Sequence, residues 1–226
     1  LAALALFYLV FGRIKIDAGK TGRTVTRFTA IERFGHWLLG GAFILLGLTG
    51  LLVLFGRVFL APLLGKGVNA ALLDWSKWVH NNVAWAFILG LVMVFVMWVV
   101  HNIPNRTDLH WLRKGGGILF AHEHPPAKKF NAGQKMIFWS VILFGGAIAL
   151  TGVSLLFPFD LPIFAKVFSA LNATGLPQLL GYGELPLALA PQEEMQLAQV
   201  WHAILAFVLM AIVLAHIYIG SVGMEG

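Results

Sequence analysis

Histidine carries most of the chemistry open to this 226-residue chain, which has 8 histidines and no cysteine. Without a thiol there is no disulfide, no thiolate metal site and no thiol nucleophile. Four of the histidines, His36, His80, His202 and His216, fall inside apolar runs, where an imidazole needs a partner. His202 and His216 are 14 residues apart. On a helix that is a rise of about 21 Å, with the two rings within about 40° of one face. One helix then presents two imidazoles stacked at two depths. Two neutral imidazoles per centre, with no embedded carboxylate nearby, suit six-coordinate haem iron with two axial histidines, a centre for electron transfer with no open position for oxygen. No Ser-His-Asp set, paired embedded carboxylates, His-Glu-x-x-His helix or phosphate-binding glycine loop is present, so the chemistry expected is redox.

The elements that hold these residues follow from where charge is missing. Hydrophobic residues make up 59% of the chain and charged ones only 12%, and the mean hydropathy is +0.82. A soluble globule carries about twice that charge. Four runs lack Asp, Glu, Lys and Arg: 34–56, 78–105, 136–159 and 195–224. Each is long enough to cross a hydrocarbon core of about 30 Å as a helix, the form in which a lone span satisfies its own backbone. The expectation is an all-α membrane protein, a four-transmembrane-helix bundle holding two b haems across residues 34–224. Residues 1–33 form an apolar segment and a basic linker. Stretch 1–12 is too short to span and reads as the tail of a further transmembrane helix. A signal peptide fits it less well, for want of a basic n-region and a small-residue cleavage site. No internal repeat or low-complexity tract is evident.

Alternating spans sort the connections onto two faces. Face A, with 13–33, 106–135 and the C-terminal end, carries twelve of the 16 Lys and Arg residues, and face B, with 57–77 and 160–194, carries four. The positive-inside rule makes A cytoplasmic. That asymmetry accounts for the net charge of +6 without a nucleic-acid partner. Depth then pairs the histidines, His36 with His216 near A and His80 with His202 near B. His101 competes with His216 for His36 on depth alone. A role in proton uptake or a plain interfacial place are its other readings. His110, His122 and His124 read as solvated. Segment 160–194 is too broken by proline to span and is expected to lie on the membrane surface or against a partner subunit, with one short helix near 163–171.

Counting from His36 at helical steps gives Gly40, Phe43, Gly47 and Gly50, and the third span carries Gly145, Ala149 and Gly152 in one stripe. These small residues suit either a groove for a flat macrocycle or close helix packing. The four embedded histidines have a competing reading too, as polar residues bonded to other helices in a haem-free anchor or to substrate in a transporter.

Several stretches carry a family resemblance: Glu32-Arg33-Phe34-Gly35-His36-Trp37, His101-Asn102-Ile103-Pro104, Phe130-Asn131-Ala132-Gly133-Gln134-Lys135-Met136 and Ala215-His216-Ile217-Tyr218. Over residues 27–221 the chain resembles the gamma subunit, a cytochrome b, of membrane-bound respiratory formate dehydrogenase. The Arg-Phe-Gly-His-Trp part is shared with other dihaem cytochromes b such as that of membrane-bound nickel-iron hydrogenases, and the alternative assignment is the cytochrome b of such a hydrogenase or of another quinone-linked oxidoreductase.

The resemblance implies two haem b groups with iron on His36/His216 and His80/His202. It also implies a quinone site by Asn131, Gly133, Gln134 and His216, where Asn131 could equally serve as a helix cap. Arg33 would face haem propionates, or else a lipid phosphate. The implied partners are an iron-sulfur (beta) subunit and a molybdenum- or tungsten-containing catalytic (alpha) subunit that oxidises formate. The implied location is the bacterial inner membrane, with electrons entering at B and quinone reduced near A. The chain departs from the family in carrying sequence ahead of the first span and in a longer loop at 160–194.

Overall fold

The computed structural model describes residues 2–13, 22, 25–117 and 126–223, and among these it contains helices and connecting turns but no strand. His122 and His124 lie outside the described residues. In chain order the α-helices are α1 (Ala2–Phe11), α2 (Ala30–Phe59), α3 (Ala61–Leu64), α4 (Lys66–Trp98), α5 (Arg106–Arg113), α6 (Ala132–Leu156), α7 (Ile163–Ala173), α8 (Leu176–Leu179) and α9 (Pro191–Tyr218). Four of them, α2, α4, α6 and α9 with its continuation to Gly223, are long and apolar enough to cross a membrane. The fold is an all-α membrane bundle. Tyr8 of the short α1 meets Tyr218 at the end of α9 edge to face, with ring centroids 6.4 Å apart.

Local chemistry sets the helix ends. Thr29 caps α2 and Asn131 caps α6, each in a reciprocal capping box, with Glu32 and Gln134 respectively. Such a box satisfies two donors that a helix start otherwise leaves unpaired. Helix α4 begins at Lys66, well before the charge-free run at 78, and its early turns include Asp74 and Lys77. Charged residues extend a transmembrane helix without cost where its first turns stand beyond the hydrocarbon.

Helix α2 packs along α4 and α6 along α9, giving two hairpins whose backbones approach each other mainly at α4 against α6, while α2 and α9 meet through side chains such as Phe55 and Phe207. The core at these seams includes Leu39, Phe87, Leu91, Phe138 and Leu209. Gly90 permits the close crossing of α2 and α4, because a Cβ there would stand 2.8 Å from the Leu39 backbone nitrogen. Many large apolar side chains point outward, among them Leu48, Leu89, Val96 and Leu143, as expected where the solvent is lipid.

Helices α2 and α6 repeat one another at an interval of 102 residues. Phe28-Thr29-Ala30 recurs as Phe130-Asn131-Ala132, Trp37 as Trp139, and Leu48-Thr49-Gly50 as Leu150-Thr151-Gly152. The expectation of no internal repeat does not hold for these two helices. Apolar positions that every span shares dilute the recurrence.

On face A, Lys135 at the start of α6 donates to Asp108 of α5 at 2.8 Å and to the Ile103 carbonyl at 2.9 Å. On face B, the buried Glu194 accepts the backbone N–H groups of Phe164 and Ala165 at 2.9 and 2.7 Å. Its carboxylate thereby caps α7 and fastens that helix to the start of α9. A helix here matches the expectation of one within the B-side loop.

Candidate functional site

The four embedded histidines meet in two pairs. The rings of His36 on α2 and His216 on α9 have centroids 6.1 Å apart with planes at 61°. Those of His80 on α4 and His202 on α9 are 6.2 Å apart at 65°. In each pair the rings are too far apart to bond to each other. His101 does not join His36. Helix α4 ends at Trp98, and a tight turn, Val100–Asn102, leaves His101 exposed, beside Lys128 and Lys129 in a cavity of about 370 Å³.

The His80/His202 pair borders a cavity of about 830 Å³ lined by all four long helices, with Phe43, Phe87 and Met210 on its apolar wall and Lys77 and Gln199 among its polar residues. Gly50 and Gly152 make room for the rings. A Cβ on Gly50 would stand 3.3 Å from His80 Cε1, and one on Gly152 would stand 3.2 Å from His202 Cε1. The remaining glycines divide by role. Gly145 packs against Leu91 and Phe87 of α4, Gly47 has only Met210 within reach, and Gly40 faces open space. Packing and a groove thus both occur, at different glycines.

Each ring of this pair is also held by a hydroxyl. Thr49 Oγ1 lies 3.0 Å from His80 Nδ1 and Thr151 Oγ1 lies 3.0 Å from His202 Nδ1. Each hydroxyl spends its proton on its own helix, Thr49 on the Leu45 carbonyl at 2.7 Å and Thr151 on the Ile148 carbonyl at 3.0 Å. The oxygen is therefore left to accept, and the imidazole proton is assigned to Nδ1. Nε2 then carries the lone pair that a metal takes. These threonines are the site residues that spacing arguments miss. Their signal is the doubled Leu-Thr-Gly.

Around the other pair, His36 stands edge-on to Trp37 with centroids 5.5 Å apart and 6.2 Å from the Trp98 ring. Trp98 Nε1 donates to the buried Glu32 at 2.8 Å, and Lys129 Nζ donates to the same carboxylate. Arg33 folds back to donate to the Phe28 carbonyl at 2.7 Å, so its guanidinium serves the loop before α2.

Asn131 and Gln134 satisfy each other. Gln134 N donates to Asn131 Oδ1 at 2.8 Å, and Asn131 N donates to Gln134 Oε1 at 3.1 Å. Arg27 adds a bond to Gln134 at 3.1 Å. Gly133 lies under Trp111 of α5, whose ring would stand 3.1 Å from a Cβ there. Asn131 is thus a helix cap with an amide group at the A-side mouth of α6.

Asp108, close by, feels two opposing influences. Burial alone would raise its pKa, but the Lys135 hydrogen bond, the Asn105 backbone N–H and the charges of Lys135 and Lys128 hold its carboxyl below the usual range.

Comparison with known proteins bears on what such a site holds. The prokaryotic cytochrome b561 family profile matches residues 27–225. The formate dehydrogenase cytochrome b556(fdo) subunit of Escherichia coli K12 is 30% identical over 143 residues, 63% of this chain and 65% of the relative. The nitrate-inducible formate dehydrogenase cytochrome b556(Fdn) subunit of the same strain is 32% identical over 149 residues, 65% of this chain and 64% of the relative. The Haemophilus influenzae formate dehydrogenase cytochrome b556 subunit is 27% identical over 142 residues, 62% of this chain and 57% of the relative. The chain thus spans less than two thirds of the length of these relatives.

Proposed function

Because the chain belongs to the prokaryotic cytochrome b561 family, which implies haem b, we propose that it is the membrane cytochrome b subunit of a formate dehydrogenase complex, passing electrons from an iron-sulfur subunit on face B through two bis-histidine b haems to quinone near face A. His80 and His202 would hold one haem, and His36 and His216 the other. Bound there, each haem supplies one-electron chemistry between ferric and ferrous iron.

The observation that carries this reading is the spacing of the two ring pairs. Imidazoles on opposite sides of one metal ion, each bonded at about 2.0 Å, hold their centroids about 6 Å apart. The pairs here stand at 6.1 and 6.2 Å. Direct bonding between histidines would bring the rings closer.

The chain's own residues do the remaining work. Phe43 and Phe87 give the His80/His202 cavity an apolar wall, a surface suited to the flat apolar face of a haem. Asn131, Gly133 and Gln134 at the start of α6, with His216, would receive the quinone headgroup on the face where the basic loops gather and protons are at hand. Charge carried from B to A works against the membrane potential at about 2.3 kcal/mol per charge per 100 mV.

Formate oxidation itself belongs to a separate molybdenum- or tungsten-containing subunit in this reading. The test is purification of the native complex. Two b haems per copy of this chain, together with an iron-sulfur and a molybdenum or tungsten protein, are expected. A nickel-iron partner would instead make it a hydrogenase cytochrome b. A folded complex without haem would defeat the cytochrome assignment for these residues.

A further inference from the structure

The two centres are built differently. Both rings of the His80/His202 pair have a threonine hydroxyl 3.0 Å from Nδ1. For His36 and His216, the described residues provide ring contacts from Trp37, Trp98 and each other but no hydrogen-bond acceptor.

The device is duplicated. Thr49 and Thr151 are 102 residues apart, as are Gly50 and Gly152. In both hairpins the threonine of the first helix holds a histidine of the second. The glycine that follows lets the ring lie against the backbone. Two copies of the same contact, on two separately packed helix pairs, converge on one centre.

We propose that Thr49 and Thr151 are positioning residues for that centre: each accepts the Nδ1–H of its histidine, keeps Nε2 unprotonated, and lowers the reduction potential of the haem held there relative to the haem at His36/His216. This deepens the reading above and rests on it. A hydrogen bond at Nδ1–H gives imidazole part of the character of imidazolate, a stronger donor that favours ferric over ferrous iron. The centre nearer face B then has the lower potential, and electrons run downhill toward face A.

The test uses the whole complex containing this chain, with Thr49→Val, Thr151→Val, the double valine variant and the matching serine variants, beside His80→Ala. Haem per chain is measured by the pyridine haemochrome assay, and midpoint potentials by redox titration followed in the visible bands. Valine keeps the shape of threonine without its hydroxyl. Both single valine variants should retain two haems and shift the same one upward in potential, the double variant should shift it further, and the serine variants should stay at the wild-type value.

Loss of that one haem in the valine variants with retention in the serine variants also supports the proposal. Two retained haems with unmoved potentials overturn it. So does equal behaviour of valine and serine, or a shift confined to the haem that survives His80→Ala. If His80→Ala itself keeps both haems, the ligand assignment fails and the proposal falls with it, whatever the threonine variants do.

Discussion

The indole of Trp98, the last residue of α4, donates to the buried carboxylate of Glu32 in the first turn of α2 at 2.8 Å. That bond ties the A ends of two spanning helices together one turn away from His36, whose ring stands 6.2 Å from the same indole. Glu32 also accepts from Thr29 and Lys129, so one carboxylate closes a helix cap, a helix pair and the loop before α6.

Trp98→Phe removes one donor from a buried charge and should cost about 1–3 kcal/mol. A lowered denaturation temperature for the purified complex would show it. On the proposed ligand pairing, the haem at His36/His216 should also be lost more readily on heating than the other. An unchanged melting curve would mean that Lys129 and Thr29 alone hold Glu32.

Glycine substitutions separate the centre from the scaffold. Gly152→Ala places a methyl 3.2 Å from His202 Cε1, tighter than ordinary contact, and should displace one ring. The haem assay is expected to fall toward one per chain with the fold intact. Gly90→Ala drives a methyl to 2.8 Å from the Leu39 backbone, where no side chain can yield. It should separate α2 from α4 and lower the yield of folded protein altogether.

Asn131 has two roles that substitution can divide. Serine caps a helix about as well as asparagine, whereas alanine at a cap costs about 1 kcal/mol. Asn131→Ser should therefore keep wild-type thermal stability yet reduce quinone-dependent turnover, because the amide is gone. Full turnover in the serine variant would leave Asn131 a cap and nothing more.

The Asp108–Lys135 pair gives a pH signature. The carboxyl pKa in the folded protein lies below its ordinary value, near 3.9 when unfolded, so the ionised form is favoured by folding. Its contribution is fully present above about pH 4 and is lost as pH falls through that value toward the folded pKa. Thermal stability measured against pH should show wild type exceeding Asp108→Asn at neutral pH. The gap should close on acidification, and a gap that stayed constant would contradict the ion pair.

Much of this organisation is legible in the sequence because lipid imposes few rules. Absence of charge marks the four spans, and 14 residues between His202 and His216 place two imidazoles on one face of α9. Charge marks the helix ends less well. The start of α4 at Lys66 lies in a stretch where lysine and aspartate face water and look like loop. The destination of the Arg33 side chain, the Phe28 carbonyl, depends on the path of a loop that no periodicity encodes. Thr49 and Thr151 read as ordinary helix residues until their hydroxyls are seen beside His80 and His202.

Haem content and visible spectra of four single variants, His36→Ala, His80→Ala, His202→Ala and His216→Ala, test the two-centre arrangement most directly. Each purified complex should hold one haem per chain. His80→Ala and His202→Ala should lack the same spectral component, and His36→Ala and His216→Ala the other. If His36→Ala and His216→Ala lost different spectral components, or if all four variants kept two haems, the pairing across α9 would be wrong.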